Sequence, residues 1–135
     1  GGGATCNGAP IRVSPIARVG DALVCTGFNP ARYARNGRHF AALSDRAQAV
    51  RRDGSAALDL AFVAAGIYDA FWEFDLAPWD VAAGWLLIEE AGGRVGALAG
   101  GPLDLDDGSI LASNGAVHEE LAGLLQAVSE REEAS

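Results

Sequence analysis

Three carboxylates occur within one stretch of eight residues, from Glu73 through Asp75 to Asp80. A turn around Pro78 leads into a predicted helix, so Asp80 lies in the first helical turn, where the dipole favours an ionised acid. An ionised carboxylate on a rigid element suits a hard cation such as Mg²⁺, which takes oxygen ligands. Capping of the helix is the alternative role for Asp80, and spacing by itself does not decide between the two roles.

A second candidate site is the turn in Arg51-Arg52-Asp53-Gly54-Ser55-Ala56-Ala57, which joins a predicted strand to a predicted helix. The first N–H groups of a helix lack partners within the helix, and Gly54 lets a ligand approach the backbone closely. The turn could therefore hold an anion or hydroxyl groups. The alternative is that Ser55 only caps the helix. In open α/β sheets, ligands bind where strands end and helices begin.

The elements that position these turns alternate along the chain. Asn7-Gly8 predicts a hairpin, and one or two short helices are expected between residues 31 and 49. Strands are predicted at 22–26, 49–51, 67–72, 94–98 and 110–112, and helices at 56–65, at 79–91 and after 113–115. This alternation predicts an α/β fold, a layered mixed sheet flanked by helices. We expect one domain over residues 1–135, with a frayed tail at 130–135.

Composition excludes several classes of protein. The chain has 135 residues, half of them apolar, which is ordinary for a folded domain. Its apolar runs are too short for a membrane span. Cys6 and Cys25 form no C-x-x-C pair and are expected to be free thiols of a cytoplasmic protein.

The net charge of −8 hides a split between the two parts of the chain. Residues 1–52 carry +6 and residues 53–135 carry −14. The arginines of the basic part are scattered, with only Tyr33 among them to stack on a base, so no nucleic-acid partner is expected. The acidic part suits cations wherever its carboxylates converge.

Several motifs carry a resemblance to a known family. They are G-S-A-A-L-D-L at 54–60, V-A-A-G at 63–66, D-A-F-W-E at 69–73, W-D-V-A-A-G at 79–84 and E-A-G-G at 90–93. G-A-T-C-N-G at 3–8 and I-L-A-S-N at 110–114 agree with them. Together they resemble the C-terminal half of the inositol monophosphatase family, whose members share the sugar-phosphatase fold.

The resemblance implies a role for each matching residue. Asp80 would be a Mg²⁺ ligand, Gly54, Ser55 and Ala56 would line the substrate side, and Glu73 would accept a hydrogen bond from a substrate hydroxyl. Family members hydrolyse phosphate monoesters with two or three Mg²⁺ ions. The expected substrate is a small phosphorylated polyol or sugar, with myo-inositol monophosphate preferred over fructose-1,6-bisphosphate, histidinol phosphate or 3'-phosphoadenosine 5'-phosphate.

The chain also departs from the family pattern. The D-P-x-D-G-T run that supplies most of the family's metal ligands is absent, so no catalytic set is complete in these residues. The Gly1-Gly2-Gly3 start and the lack of Met likewise suggest a fragment, which we expect to be inactive by itself and a homo-oligomer in full-length form. The rival hypothesis is a catalytically silent α/β module that binds a partner or completes an oligomer.

Three further expectations concern individual side chains. Asp59 is the only charge on a predicted buried helix and needs a partner, for which Arg51 is a candidate. His118 is expected at the surface, in the first turn of the last helix. Trp79 is expected to pack in the core or to cover the sheet, as are Trp72 and Trp85.

Overall fold

The computed structural model describes residues 1–28 and 30–134 of the chain. It opens with a hairpin of two short antiparallel strands, β1 (Thr5–Cys6) and β2 (Ala9–Pro10). Asn7 and Gly8 form the turn with φ of 52° and 82°, as the tightest hairpin turns require. The predicted hairpin is confirmed.

Five strands form the main sheet, in the order β4-β3-β5-β7-β6. Their bounds are β3 (Leu23–Gly27), β4 (Ala49–Arg52), β5 (Ala70–Glu73), β6 (Arg94–Gly96) and β7 (Ile110–Ser113). β3 runs parallel to both β4 and β5, whereas β7 runs antiparallel to β5 and β6. The sheet is therefore mixed, as predicted, with its parallel part at one side.

Four helices cover the sheet, namely α1 (Tyr33–Arg46), α2 (Ala56–Ala64), α3 (Pro78–Glu90) and α4 (His118–Glu133). One core joins α2 and α3 to one face of the sheet, and a second core joins α1 and α4 to the other face. Neighbouring strand residues point to opposite cores, as Phe71 and Trp72 show. Within residues 1–28 and 30–134, no helix combines the length and the apolar character that a membrane span needs.

Two helices differ from the sequence prediction. α1 is a single helix of 14 residues instead of one or two short ones. α4 continues to Glu133, so most of the tail expected to fray is helical, while Ser135 lies outside the described residues. Contacts to α1 hold this end: Arg38 pairs with Glu132 at 3.2 Å, and the His39 ring lies 3.1 Å from the Ser129 hydroxyl.

The layer formed by α2 and α3 buries only its inner side. Leu60 and Ile88 are fully buried, whereas Leu58 is 49% exposed, Leu86 61% and Trp79 83%. The expectation that Trp79 packs in the core is therefore wrong, although Trp72 is buried as expected. Both helices are apolar nearly all round, so their outer side presents apolar groups to solvent.

His118 also differs from its prediction, because it is 4% exposed instead of lying at the surface. Its Nδ1 lies 2.8 Å from the Ser113 hydroxyl, which also accepts a hydrogen bond from the Gly115 N–H. Burial, assisted by the positive charge of Arg94, lowers the pKa of His118 to about 4. The ring is therefore neutral in the folded chain at neutral pH.

This pKa predicts a loss of stability in acid. In the unfolded chain His118 is protonated below its ordinary pKa of about 6.5, whereas in the folded chain it stays neutral down to about pH 4. The unfolded state therefore binds more protons between these two values, and the free energy of unfolding falls as the pH falls through this window. We expect His118 to contribute a loss of about 2 kcal/mol between pH 7.5 and pH 5. Urea unfolding of the native chain and of His118→Asn at both pH values measures it. The stability difference between the two should shrink in acid; a constant difference would contradict the prediction.

Candidate active site

The carboxyl ends of the parallel strands β3, β4 and β5 meet at one edge of the sheet. A cavity of about 630 Å³ lies at this edge. The residues that matter in its wall are Gly27, Asp53, Gly54, Ala56, Glu73 and Asp80. Both turns selected from the sequence therefore open into the same cavity, as the rule for open α/β sheets predicts.

Asp80 lies in the first turn of α3, where its Oδ2 accepts a hydrogen bond of 2.9 Å from the Ala77 N–H. Asp80 thus caps α3, which is the alternative role predicted for it. This role does not exclude a metal, because the bond fixes the carboxylate in orientation and the carboxylate offers a second oxygen. Asp80 is a rigid oxygen donor at the cavity wall.

Glu73 ends β5 and shares the cavity with Asp80. Burial raises the pKa of Glu73 to about 7, and the negative charges of Asp59, Asp80 and Asp75 add to this effect. A carboxyl whose pKa is raised by other acids lies in negative potential, which attracts cations. With hard oxygen donors and this potential, the residues present fit Mg²⁺.

Gly27 provides the space that Glu73 occupies. The two residues are directly paired in the register of β3 and β5, and a Cβ at position 27 would lie 1.8 Å from Glu73 Oε1. No side chain other than hydrogen is compatible with the observed position of Glu73. The sequence shows Gly27 only as the end of a strand, so its role was not predicted.

Gly27→Ala is predicted to displace Glu73 from the cavity wall. If Glu73 binds a substrate hydroxyl, we expect KM to rise about tenfold, which corresponds to loss of one hydrogen bond to a charged group. Steady-state kinetics of the full-length protein measure this change. Gly20→Ala is the matched control, because a Cβ there would lie 3.9 Å from its nearest neighbour. Equal kinetics for the two variants would contradict the prediction.

The start of α2 forms the opposite part of the wall. Gly54 has a φ of 95°, and Gly54 and Ala56 line the cavity. The Ser55 hydroxyl accepts a hydrogen bond of 3.4 Å from the Leu58 N–H and is not among the cavity-lining groups. Capping therefore occupies the Ser55 side chain, and its predicted place on the substrate side stays a prediction.

The cavity also carries positive charge that sequence reasoning missed. The Arg52 guanidinium lies 4.0 Å from the centre of the Phe28 ring and donates to the Phe28 carbonyl at 3.2 Å. Arg32 pairs with Asp75 at 3.9 Å. Both arginines line the cavity, so it can contact an anion as well as a cation. The basic part of the sequence was the only signal, and its arginines looked scattered.

Asp59 does not pair with Arg51, which is exposed, so that expectation is wrong. Asp59 is 1% exposed and lies beside Cys25 and Asp53, with one ligand-type atom of each residue within 4.8 Å of the others. Cys25 is buried, Cys6 is exposed, and both are free thiols, as predicted. The tertiary fold brings this group together from three separate elements.

Comparison with known proteins shows which family this chain is similar to. A model of the inositol monophosphatase family matches residues 1–131. An inositol-1-monophosphatase of Synechocystis sp. is 47% identical over 128 residues, covering 93% of this chain and 45% of that protein. The Nus factor SuhB of Pseudomonas aeruginosa is 45% identical over 122 residues, covering 84% of this chain and 44% of that protein.

A solved structure agrees with the sequence comparison. The inositol monophosphatase of Anabaena (Nostoc) sp. superposes with a TM-score of 0.89 at 46% identity, covering 93% of this chain and 53% of that one. The chain thus spans about half the length of the relatives that it matches. Because the family model matches nearly all of its residues and the fold is that of a solved member, the chain belongs to the inositol monophosphatase family.

Proposed function

We propose that this chain forms one wall of the active site of a Mg²⁺-dependent phosphate monoester hydrolase of the inositol monophosphatase type. The observation that carries the proposal is the cavity in which Asp80, Glu73 and the start of α2 converge. The substrate is a small phosphorylated polyol or sugar, with myo-inositol monophosphate preferred. The Synechocystis relative, named an inositol-1-monophosphatase, supports this choice.

Each residue of the wall has a distinct role in this proposal. Asp80 holds Mg²⁺, and its bond to the Ala77 N–H keeps the carboxylate in place. A Mg²⁺ ion held there would supply charge neutralisation of the phosphate and activation of a water molecule. Glu73 accepts a hydrogen bond from a substrate hydroxyl and so orients the polyol. Gly54 and Ala56 let the substrate approach the backbone at the start of α2.

We propose further that the chain has negligible activity by itself. Asp80 is one metal ligand, and the cluster of two or three ions expected for the family needs carboxylates that this chain lacks. The longer protein, meaning this chain together with the remaining half that its relatives carry, would supply them. We infer that this longer protein is a cytoplasmic homo-oligomer, for which the two free thiols and the exposed apolar residues of α2 and α3 are the support.

The test compares phosphate release by the chain and by the longer protein, each purified free of host phosphatase. With Mg²⁺, the longer protein should hydrolyse myo-inositol 1-phosphate faster than fructose-1,6-bisphosphate, histidinol phosphate or 3'-phosphoadenosine 5'-phosphate. The chain should release no phosphate above background. Turnover by the chain would overturn its proposed inactivity, and preference for another substrate in the panel would overturn the substrate class.

A second candidate function is a catalytically silent module that binds a partner or completes an oligomer. The exposed side chains of Leu58, Trp79 and Leu86 favour it, since apolar groups on one helical layer are typical of an interface. Sedimentation of the longer protein and of its Trp79→Ser variant tests this function. It predicts an assembly that the variant weakens and no phosphate release from any substrate of the panel.

A further inference from the structure

A group of ligand-type side chains beside the cavity has no role in the proposed hydrolysis. It consists of Cys25 on β3, Asp53 after β4 and Asp59 on α2, and we call it the Cys25 cluster. One ligand-type atom of each residue lies within 4.8 Å of the others. Cys25 Sγ is 3.9 Å from Asp53 Oδ2. Asp53 is exposed and lines the cavity, whereas Asp59 and Cys25 are buried.

Asp59 is the unusual member of the cluster. Its side chain is 1% exposed, and neither carboxylate oxygen has a hydrogen-bond partner among the described residues. None of the ion pairs among those residues involves it. Burial raises the pKa of Asp59 to about 6, a value at which the group is still ionised at neutral pH. A buried, ionised carboxylate with no ion-pair partner among these residues favours the binding of a cation.

The chemistry of the donors selects the cation. A thiolate is a soft ligand that Mg²⁺ does not use, and two carboxylates with one thiolate suit Zn²⁺. Tetrahedral zinc with ordinary bond lengths separates sulfur and oxygen ligands by about 3.6 Å. The observed 3.9 Å between Cys25 Sγ and Asp53 Oδ2 is close to that separation. The Tyr68 hydroxyl donates to Asp53 Oδ2, which is how partners outside a metal site orient its ligands.

We propose that the Cys25 cluster binds one Zn²⁺ ion through Cys25, Asp53 and Asp59, with a fourth position open to the cavity. On binding, the Cys25 thiol loses its proton to solvent and the thiolate coordinates the metal. The ion compensates the buried charge of Asp59. This site is separate from Asp80, and its ligands come from three elements, so their spacing in the sequence carries no zinc motif.

Cobalt titration of the chain tests the proposal, because Co²⁺ occupies zinc sites and a cobalt–thiolate bond absorbs in the near ultraviolet. We expect one bound Co²⁺ per chain with this absorption, displaced by Zn²⁺ and retained in excess Mg²⁺. Cys25→Ser should abolish the absorption, and the matched control Cys6→Ser should keep it. Absence of the absorption from the native chain, or its survival in Cys25→Ser, would overturn the proposal.

Two further variants keep the test decisive if Cys25→Ser alters the fold. Asp53 is exposed, so Asp53→Asn is expected to fold normally, to keep the thiolate absorption and to bind Co²⁺ at least tenfold more weakly. Unchanged affinity would overturn the proposed ligand set. Asp80→Asn should leave cobalt binding unchanged, so the zinc site and the proposed phosphatase activity can fail independently.

Discussion

Asp80→Asn is expected to lower kcat of the longer protein by about 10²- to 10³-fold, the usual effect of removing one group that stabilises charge in the transition state. Asn keeps an oxygen that can accept the hydrogen bond from the Ala77 N–H, so the helix cap survives. What is lost is the negative charge that holds Mg²⁺. Steady-state phosphate release with Mg²⁺ varied measures the effect, and the concentration of Mg²⁺ needed for half-maximal rate should rise.

The matched control for this variant is Asp104→Asn. Asp104 also accepts a backbone hydrogen bond, at 2.9 Å from the Asp106 N–H, but it is exposed and lies outside the cavity. Its variant should retain normal kcat and Mg²⁺ dependence. If the two variants lost activity equally, or if Asp80→Asn kept normal kinetics, Asp80 would be only a helix cap.

The second large effect is expected from Gly93→Ala. This substitution should lower the free energy of unfolding by about 4 kcal/mol, which is more than an added methyl group usually costs in a packed core. A Cβ at position 93 would lie 2.5 Å from the Ser113 carbonyl oxygen, 2.6 Å from Ile88 Cγ2 and 2.9 Å from Val13 Cγ1. It would clash with backbone as well as side chains, so the sheet, α3 and the segment after the hairpin would all have to move. Urea unfolding followed by far-ultraviolet circular dichroism measures the loss.

The neighbouring glycine provides the control. Gly92 has a φ of 92°, and no atom lies within 4 Å of the position that a Cβ would take. Gly92→Ala therefore strains the backbone without causing a steric clash. Gly92 follows the end of α3, where the Gly93 N–H bonds the Ile88 carbonyl at 2.8 Å, a usual way to end a helix. We expect a loss of about 1 kcal/mol. An equal loss in both variants would contradict the proposed role of crowding at Gly93.

The two glycines illustrate how far the sequence predicts the fold. Adjacent glycines after an apolar helix predict its end, and the structure confirms this within a residue. The reason for each glycine is different, however. Left-handed backbone at Gly92 follows from local chain geometry, while the need for Gly93 comes from Ser113 and Val13, which are distant in sequence.

The same division applies to the candidate site. The first turns of α2 and α3 were predictable, because a strand end followed by a turn and a helix start is a local pattern. Trp79 and His118 were predicted wrongly, because apolar character and position in a helical turn do not say which side of a helix the rest of the chain covers. Whether such a side chain is buried depends on how the helices pack against the sheet.

Residue order alone predicts the α/β class, the hairpin, the two turns at the cavity and the motifs of the inositol monophosphatase family. These depend on contacts between residues close in the chain, or on motifs that can be read directly. Packing of the folded chain is what makes Gly27 leave room for Glu73 and brings Cys25, Asp53 and Asp59 together. Parallel strands place residues far apart in the chain at one sheet edge, where burial and neighbouring charge set their chemistry.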